Sequence, residues 1–231
     1  MAADRVDAVA FDLDGTLIDS VGDLAHALAL TFADEGLPAL PLTVVRDLVG
    51  KGIPTLIARG LARVTRMPAD EARAAAMLPR YFAHYEATLG ERSAPFPGVA
   101  QALAAIRALG CRTAVVTNKA ARFVRPHLER AGLSELFDAT VGGDEAPARK
   151  PSAEPLALAA RRLGVEAARV LMVGDSANDV GCARAGGAPV VVVPWGYREG
   201  AAVQDLRADA IVGSFDALVA YVAGRRTSPA R

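Results

Sequence analysis

Two aspartates end an apolar run near the start of the chain. Residues 9–17 read Val-Ala-Phe-Asp-Leu-Asp-Gly-Thr-Leu, so Asp12 and Asp14 follow a short apolar segment that Gly15 and Thr16 interrupt. Ionised carboxylates are rarely buried without a partner, so two of them at the end of a core strand predict a bound cation or a shared proton. The alternative is an Asp- and Gly-containing turn that only ends the strand.

Composition narrows the classes of protein that this chain can belong to. It has 231 residues, a hydrophobic content of 52% and equal numbers of basic and acidic residues, 26 each, so no overall charge favours nucleic acid or an anionic membrane. No apolar run has the length of a signal sequence or a membrane span. Cys111 and Cys182 form no CxxC pair, so we expect reduced core thiols and a cytoplasmic protein.

The pattern of apolar residues changes once along the chain. Residues 21–92 contain only helix candidates, at 21–35, 42–48, 53–64 and 69–89, with a capping box predicted at Ser20 and Asp23. After the Pro-Phe-Pro-Gly segment at 95–98, apolar β-branched strands alternate with helices as far as residue 223. This alternation predicts a parallel α/β sheet covered on both faces, with a helical insert after the first strand. We expect residues 225–231 to be disordered.

Polar residues follow several of the predicted strands. Beyond Asp12 and Asp14 they are Thr117, Asn118 and Lys119 in one segment, Asp175, Ser176 and Asp179 in another, and Lys150 before Pro151. Ligands of open α/β sheets bind beyond the carboxyl ends of the strands, so we expect these groups to converge there. Carboxylates with a lysine suit a divalent cation and a phosphate.

Each of these residues also has a purely structural interpretation. Thr117 and Asn118 are common helix N-caps, and Ser176 with Asp179 matches a capping box. Lys150 alone would be a solvated surface lysine. No P-loop, dinucleotide-binding glycine motif, zinc-ligand spacing or serine-hydrolase elbow is found in the sequence.

Four segments together resemble the motifs of the haloacid dehalogenase superfamily of phosphohydrolases. They are DLDGT at 12–16, TNK at 117–119, Lys150-Pro151 and GDSAND at 174–179. The resemblance implies a Rossmann-like, doubly wound parallel sheet at 1–17 and 95–231, with an inserted all-helical, type 1 cap domain at 18–94. It also implies Mg²⁺ as cofactor.

The resemblance assigns a role to each matching residue. Asp12 would be the nucleophile, and Asp14 would protonate the leaving group, for which its pKa must be raised or its proton shared. Thr117, Asn118 and Lys150 would bind the substrate phosphate. The metal ligands would be the Asp12 and Asp175 carboxylates and the Asp14 backbone carbonyl, with Asp179 orienting metal-bound water.

Segments 141–151 and 195–200 further resemble bacterial phosphoglycolate phosphatases, which implies 2-phosphoglycolate as the substrate. Alternatives are a phosphatase of another small ester (a sugar phosphate, nucleotide or pyrophosphate), a β-phosphoglucomutase-like isomerase, and a phosphate-binding module without turnover. Lys51, between two glycines of the helical insert, is a candidate for binding a small carboxylate, and Arg198 is a weaker one. No nucleic-acid or membrane partner is expected, and the protein would be a monomer or homodimer.

Overall fold

The computed structural model describes residues 5–198, 200 and 202–226. The strands are β1 (Ala8–Phe11), β2 (Ile18–Asp19), β3 (Ala94–Pro95), β4 (Arg112–Val116), β5 (Ala139–Val141), β6 (Val170–Gly174), β7 (Val190–Val192) and β8 (Ala210–Ile211). The α-helices are α1 (Val21–Ala33), α2 (Leu42–Leu48), α3 (Ile53–Thr65), α4 (Glu71–Thr88), α5 (Val99–Ala108), α6 (Ala121–Arg130), α7 (Glu154–Leu163), α8 (Ala177–Ala185) and α9 (Phe215–Arg226). Short 3₁₀ turns lie at Ser134–Leu136, Ala167–Arg169 and Val203–Leu206.

Six strands form one parallel sheet in the order β5-β4-β1-β6-β7-β8. β1 is central, with Phe11 opposite Val115 of β4 and Val173 of β6. The pairing continues one residue further, because the Asp12 N–H donates to the Val173 carbonyl over 2.9 Å. Since all six strands run the same way, their carboxyl ends lie at one edge, where open α/β sheets bind ligands.

The two faces of the sheet bury different side chains. Val9 and Phe11 of β1 join an apolar cluster with α5 and α9, whereas Ala8 and Ala10 join a second cluster with α7 and α8. All four residues are fully buried, which explains why β1 is apolar throughout rather than alternating. The predicted α/β fold, with a doubly wound parallel sheet, is confirmed.

Helices α1 to α4 lie in the chain between β2 and β3 and pack around a third apolar cluster. β2 and β3 pair with each other in antiparallel fashion, with Ile18 opposite Pro95, where the chain enters and leaves this helical insert. Among the described helices, none is long and apolar enough to cross a membrane.

The structure corrects two sequence predictions and confirms a third. Arg225 and Arg226 were predicted to be disordered but continue α9, where Arg226 pairs with Asp7 at 2.9 Å; residues 227–231 lie outside the described part. The predicted Ser20 cap is wrong, because its side chain makes no capping hydrogen bond. Cys111 and Cys182 are buried free thiols, as predicted.

Candidate active site

The end of β1 presents Asp12 to the edge of the sheet. Its Oδ1 accepts a hydrogen bond from the Leu13 N–H over 2.7 Å and lies 3.0 Å from Lys150 Nζ. The chain then turns at Gly15, whose φ of +87° is in the left-handed region. A Cβ at Gly15 would lie 2.7 Å from Asp175 Oδ2, so only glycine allows the two loops to approach this closely.

Asp175 follows β6 and is buried beside Asp12. Its two oxygens accept hydrogen bonds from Thr16 Oγ1 at 2.7 Å and from the Tyr197 N–H at 2.5 Å. A Cβ at Gly196 would lie 2.2 Å from the Asp175 Cβ. Asp12, Asp175 and Asp179 each bring a carboxylate oxygen within 4.8 Å of the others, so the three form one acidic cluster.

Lys150 is the buried cation of this cluster. Its Nζ lies 3.0 Å from Asp12 Oδ1 and 2.6 Å from Asp179 Oδ1. It also donates a hydrogen bond to the Val116 carbonyl over 2.8 Å. Lys150 lies in a turn before α7 and is joined to Pro151 by a cis peptide bond. Burial between two carboxylates rather than on the surface makes Lys150 part of the site.

Asp179 combines a structural and an electrostatic role. Its Oδ2 accepts from the N–H groups of Asp175 and Ser176 at 3.2 and 3.0 Å, and Ser176 and Asp179 form the predicted capping box of α8. Its Oδ1 pairs with Lys150. Asp179 therefore holds Lys150 in place, and its predicted role in orienting metal-bound water stays a prediction.

Burial and like charges disturb the titration of this cluster. Burial raises the pKa of Asp12 to about 6, with Lys150 opposing the shift and Asp179 adding to it. Burial also raises the pKa of Asp175 well above its usual value, and the neighbouring carboxylates of Asp179 and Asp12 raise it further. Burial alone would lower the pKa of Lys150, but the two carboxylates beside it raise that pKa instead.

Thr117 and Asn118 follow β4 at the same edge of the sheet. The Asn118 side chain donates to the Lys150 carbonyl over 3.1 Å and accepts from the Lys150 N–H over 3.0 Å. Thr117 Oγ1 accepts from the Lys119 N–H at 3.2 Å. Both residues line a cavity beside the strand ends, which is described below. The amide group of Asn118 is already used to hold the segment that carries Lys150.

A family model described as haloacid dehalogenase-like hydrolase matches residues 6–187, which include all of these strand-end residues. The chain belongs to this family. The family resemblance inferred from the four motifs is therefore confirmed.

Individual relatives of this haloacid dehalogenase-like hydrolase match almost all of its length. A phosphoglycolate phosphatase of Cupriavidus necator is 43% identical over 224 residues, which are 96% of each chain. One from Caulobacter vibrioides is 41% identical over 207 residues, 90% of this chain and 86% of the relative. The crystal structure of a predicted phosphoglycolate phosphatase from Haemophilus somnus is similar at 29% identity and a TM-score of 0.86, covering 93% of this chain and 97% of the other.

Lys119 is a further residue of this hydrolase's site, and its motif in the sequence predicted no role for it. Its Nζ lies 3.0 and 3.3 Å from the two oxygens of Asp14 and donates to the hydroxyl of Tyr85 on α4. Burial would raise the pKa of Asp14, but Lys119 and smaller effects of neighbouring groups together outweigh burial, and the pKa is lowered. The prediction was a raised pKa or a shared proton, and the lowered pKa differs from the first of these. The reason is the Lys119 ammonium, which stabilises the ionised carboxylate and whose pairing with Asp14 the TNK motif does not reveal.

A cavity of about 420 Å³ lies between the strand ends and the helical insert of this hydrolase. Asp12, Asp14 and Lys150 line it from the sheet, and Leu78, Phe82 and Tyr85 of α4 are among the residues that line it from the insert. Gly50 and Gly52 contribute to the described lining but Lys51 does not, and its side chain is exposed. Arg198 likewise contributes nothing to that lining.

Proposed function

We propose that this protein is a magnesium-dependent phosphatase that hydrolyses 2-phosphoglycolate to glycolate and phosphate through an aspartyl-phosphate intermediate. The observation that carries the reaction is the convergence of Asp12, Asp175 and Lys150 at one edge of the sheet, within a chain of the haloacid dehalogenase-like hydrolase family. The choice of substrate is supported by relatives that are about 40% identical over nearly the whole chain and are named phosphoglycolate phosphatase.

Asp12 is the proposed nucleophile. Its carboxylate lies at a strand end, faces the cavity that would hold the substrate, and has one oxygen fixed by the Leu13 N–H and by Lys150. Attack on phosphorus would form the aspartyl-phosphate and expel glycolate, and water would then release phosphate and restore Asp12. One difficult displacement is thereby divided into two easier ones.

Asp14 is the proposed acid and base. It would protonate the ester oxygen as glycolate leaves and then remove a proton from the attacking water. In the structure Lys119 pairs with this carboxylate, so donation requires that the Lys119 ammonium be drawn towards another anion. Lys150 and Thr117 are proposed to bind the phosphoryl oxygens, with Asn118 acting by holding the backbone of Lys150.

The acidic cluster fits a hard divalent cation. Lys150 partners Asp12 and Asp179, whereas the hydrogen bonds that Asp175 receives from the described residues come from the neutral Thr16 hydroxyl and Tyr197 N–H. A buried carboxylate without a cationic partner is costly, and oxygen ligands suit Mg²⁺. The carboxylates of Asp12 and Asp175 and the Asp14 carbonyl would hold the ion, which would reduce the repulsion between Asp12 and the phosphate.

We propose that residues 18–94 act as a cap over the core formed by 1–17 and 95–231. The support is that α1 to α4 share their own apolar cluster and that the cavity lies between them and the strand ends. Closure would exclude bulk water from the phosphorylated Asp12 until glycolate has left.

With the buried free thiols, this cavity for a small anion is consistent with a cytoplasmic metabolic enzyme.

The test is a screen of purified protein with small phosphate esters in the presence of Mg²⁺. We expect kcat/KM to be highest for 2-phosphoglycolate, and we expect chelation of Mg²⁺ to abolish phosphate release reversibly. A higher kcat/KM for a sugar phosphate or nucleotide would overturn the substrate. Interconversion of a sugar phosphate without phosphate release would overturn the reaction in favour of an isomerase.

A further inference from the structure

The chemistry of the proposed substrate sets a narrow limit on where its carboxylate can be recognised. In 2-phosphoglycolate one methylene group separates the ester oxygen from the carboxylate carbon. A cation that binds this carboxylate must therefore lie beside the group that protonates the ester oxygen, which is Asp14 under the proposed function. This limit, which rests on the proposed function, applies to each cation that lines the cavity.

Lys119 lies in contact with Asp14 at the border between the sheet and the helical insert. Its side chain is 4% exposed, its Nζ is 3.0 Å from Asp14 Oδ1, and it also donates to the Tyr85 hydroxyl. A lysine ammonium has three protons to donate. In this structure they are directed to the two Asp14 oxygens and to the Tyr85 hydroxyl, so a substrate carboxylate would bind by drawing the ammonium away from Asp14.

The other cations among the described residues that line the cavity are differently engaged. Lys150 is held between Asp12 and Asp179 on the nucleophile side. Arg122 is exposed and lies 4.4 and 4.6 Å from the ring centres of Phe82 and Phe123. Arg149 is exposed, and its Nε donates to the Gly143 carbonyl over 2.9 Å. Within this described set, Lys119 alone contacts Asp14.

We propose that Lys119 binds the carboxylate of the leaving group and is the residue that selects a phosphate ester with an acid group one carbon from the ester oxygen. Tyr85 supports it from the insert, so the lysine is fully positioned only when α4 lies over the strand ends. An ester of the same length without the carboxylate offers no second anion, so the Lys119 ammonium stays on Asp14 and Asp14 is not freed to protonate the ester oxygen. Such an ester is therefore turned over less well.

Substrate preference tests the proposal directly. The readout is kcat/KM for 2-phosphoglycolate divided by kcat/KM for ethyl phosphate, in which a methyl group replaces the carboxylate. In Lys119→Met we expect this ratio to fall by about tenfold to a hundredfold, whereas Lys119→Arg should restore part of it. Arg122→Met, which removes another cation of the same cavity, is the matched control and should leave the ratio unchanged.

A role for Lys119 in holding Asp14 alone predicts a different result. In that case Lys119→Met would lower kcat/KM equally for both esters, and an unchanged ratio would overturn the proposal. A fall of the ratio in Arg122→Met but not in Lys119→Met would overturn it as well. Lys119→Gln, which keeps a donor for Asp14 and Tyr85 but no charge, provides a second neutral variant should Lys119→Met not fold.

The wild-type protein separates this proposal from the proposed function. If the wild type hydrolyses ethyl phosphate as efficiently as 2-phosphoglycolate, then the proposed substrate is wrong before any variant is compared. If the wild type prefers 2-phosphoglycolate and Lys119→Met keeps that preference, the function stands and only the role of Lys119 is refuted.

Discussion

Asp12 and Asp14 are two residues apart yet have different surroundings. Asp12 shares Lys150 with Asp179 and has Asp175 nearby, whereas Asp14 pairs with Lys119. The DLDGT motif predicted two chemically active carboxylates, but it did not identify their partners. Those partners come from segments more than 100 residues away, which brings a separate cation to each carboxylate.

Close backbone approach fixes the position of Asp175. A Cβ at Gly196 would lie 2.2 Å from Asp175 Cβ, so Gly196→Ala must push this carboxylate away from the acidic cluster. If Asp175 holds Mg²⁺, we expect the Mg²⁺ concentration for half-maximal activity to rise by about 10-fold to 100-fold. Titration of activity with Mg²⁺ measures this shift.

Gly213→Ala is the matched control for that substitution. A Cβ at Gly213 would have no neighbouring atom within 4 Å, so this variant should keep the Mg²⁺ dependence of the wild type. If Gly196→Ala also keeps it while remaining folded, then Asp175 does not hold the metal in the way proposed.

At the scale of elements, sequence pattern predicted the helices and the sheet strands well but not the contacts where the chain crosses between core and insert. The predicted partner of Ser20, Asp23, instead accepts hydrogen bonds from the Gly90 and Arg92 N–H groups at 2.8 Å and from Ser93 Oγ at 2.6 Å. Asp23 thus joins the two crossing segments, which are about 70 residues apart. A capping pattern describes only neighbours in sequence, so it could not predict this role.

Helix α6 of the core contributes His127 to the same crossing. Its Nε2 lies 2.8 Å from Ser93 Oγ and 3.7 Å from Asp23 Oδ2, and its side chain is buried. Burial and the nearby Lys119 lower the pKa of His127 to about 4, against the opposing effect of Asp14 and Asp23. His127 is therefore neutral in the folded protein at pH 7.

This lowered pKa predicts a loss of stability in mild acid. Between about pH 6.5 and pH 4 the unfolded chain binds a proton at His127 that the folded chain does not, so stability falls as the pH falls. The contribution amounts to about 2 kcal/mol between pH 7 and pH 5. We expect the free energy of unfolding of the wild type, relative to His127→Gln, to decrease by that amount, as measured by urea denaturation at both pH values. An equal difference at pH 7 and pH 5 would contradict the assignment.

At the scale of the whole molecule, the parallel sheet and the helical insert place two kinds of chemistry on opposite sides of one cavity. The sheet supplies the charged groups, and the insert supplies mainly apolar side chains such as Leu78 and Phe82 together with the Tyr85 hydroxyl. Motifs in the sequence predicted that Asp12, Asp175 and Lys150 would come together at one edge of the sheet, because strand ends converge by topology. The insert side was not predictable, since it depends on how α4 packs over the strand ends.

Under the proposed mechanism, phosphate is transferred to Asp12 before it reaches water. Reduction with borohydride during steady-state hydrolysis of 2-phosphoglycolate converts an acyl phosphate to an alcohol, and peptide mass spectrometry locates the changed residue. We predict that Asp12 is converted to homoserine only when substrate and Mg²⁺ are both present, and that Asp14 and Asp175 are unchanged. Phosphate release with no reduction at Asp12, or with reduction at another aspartate, would rule out transfer through Asp12.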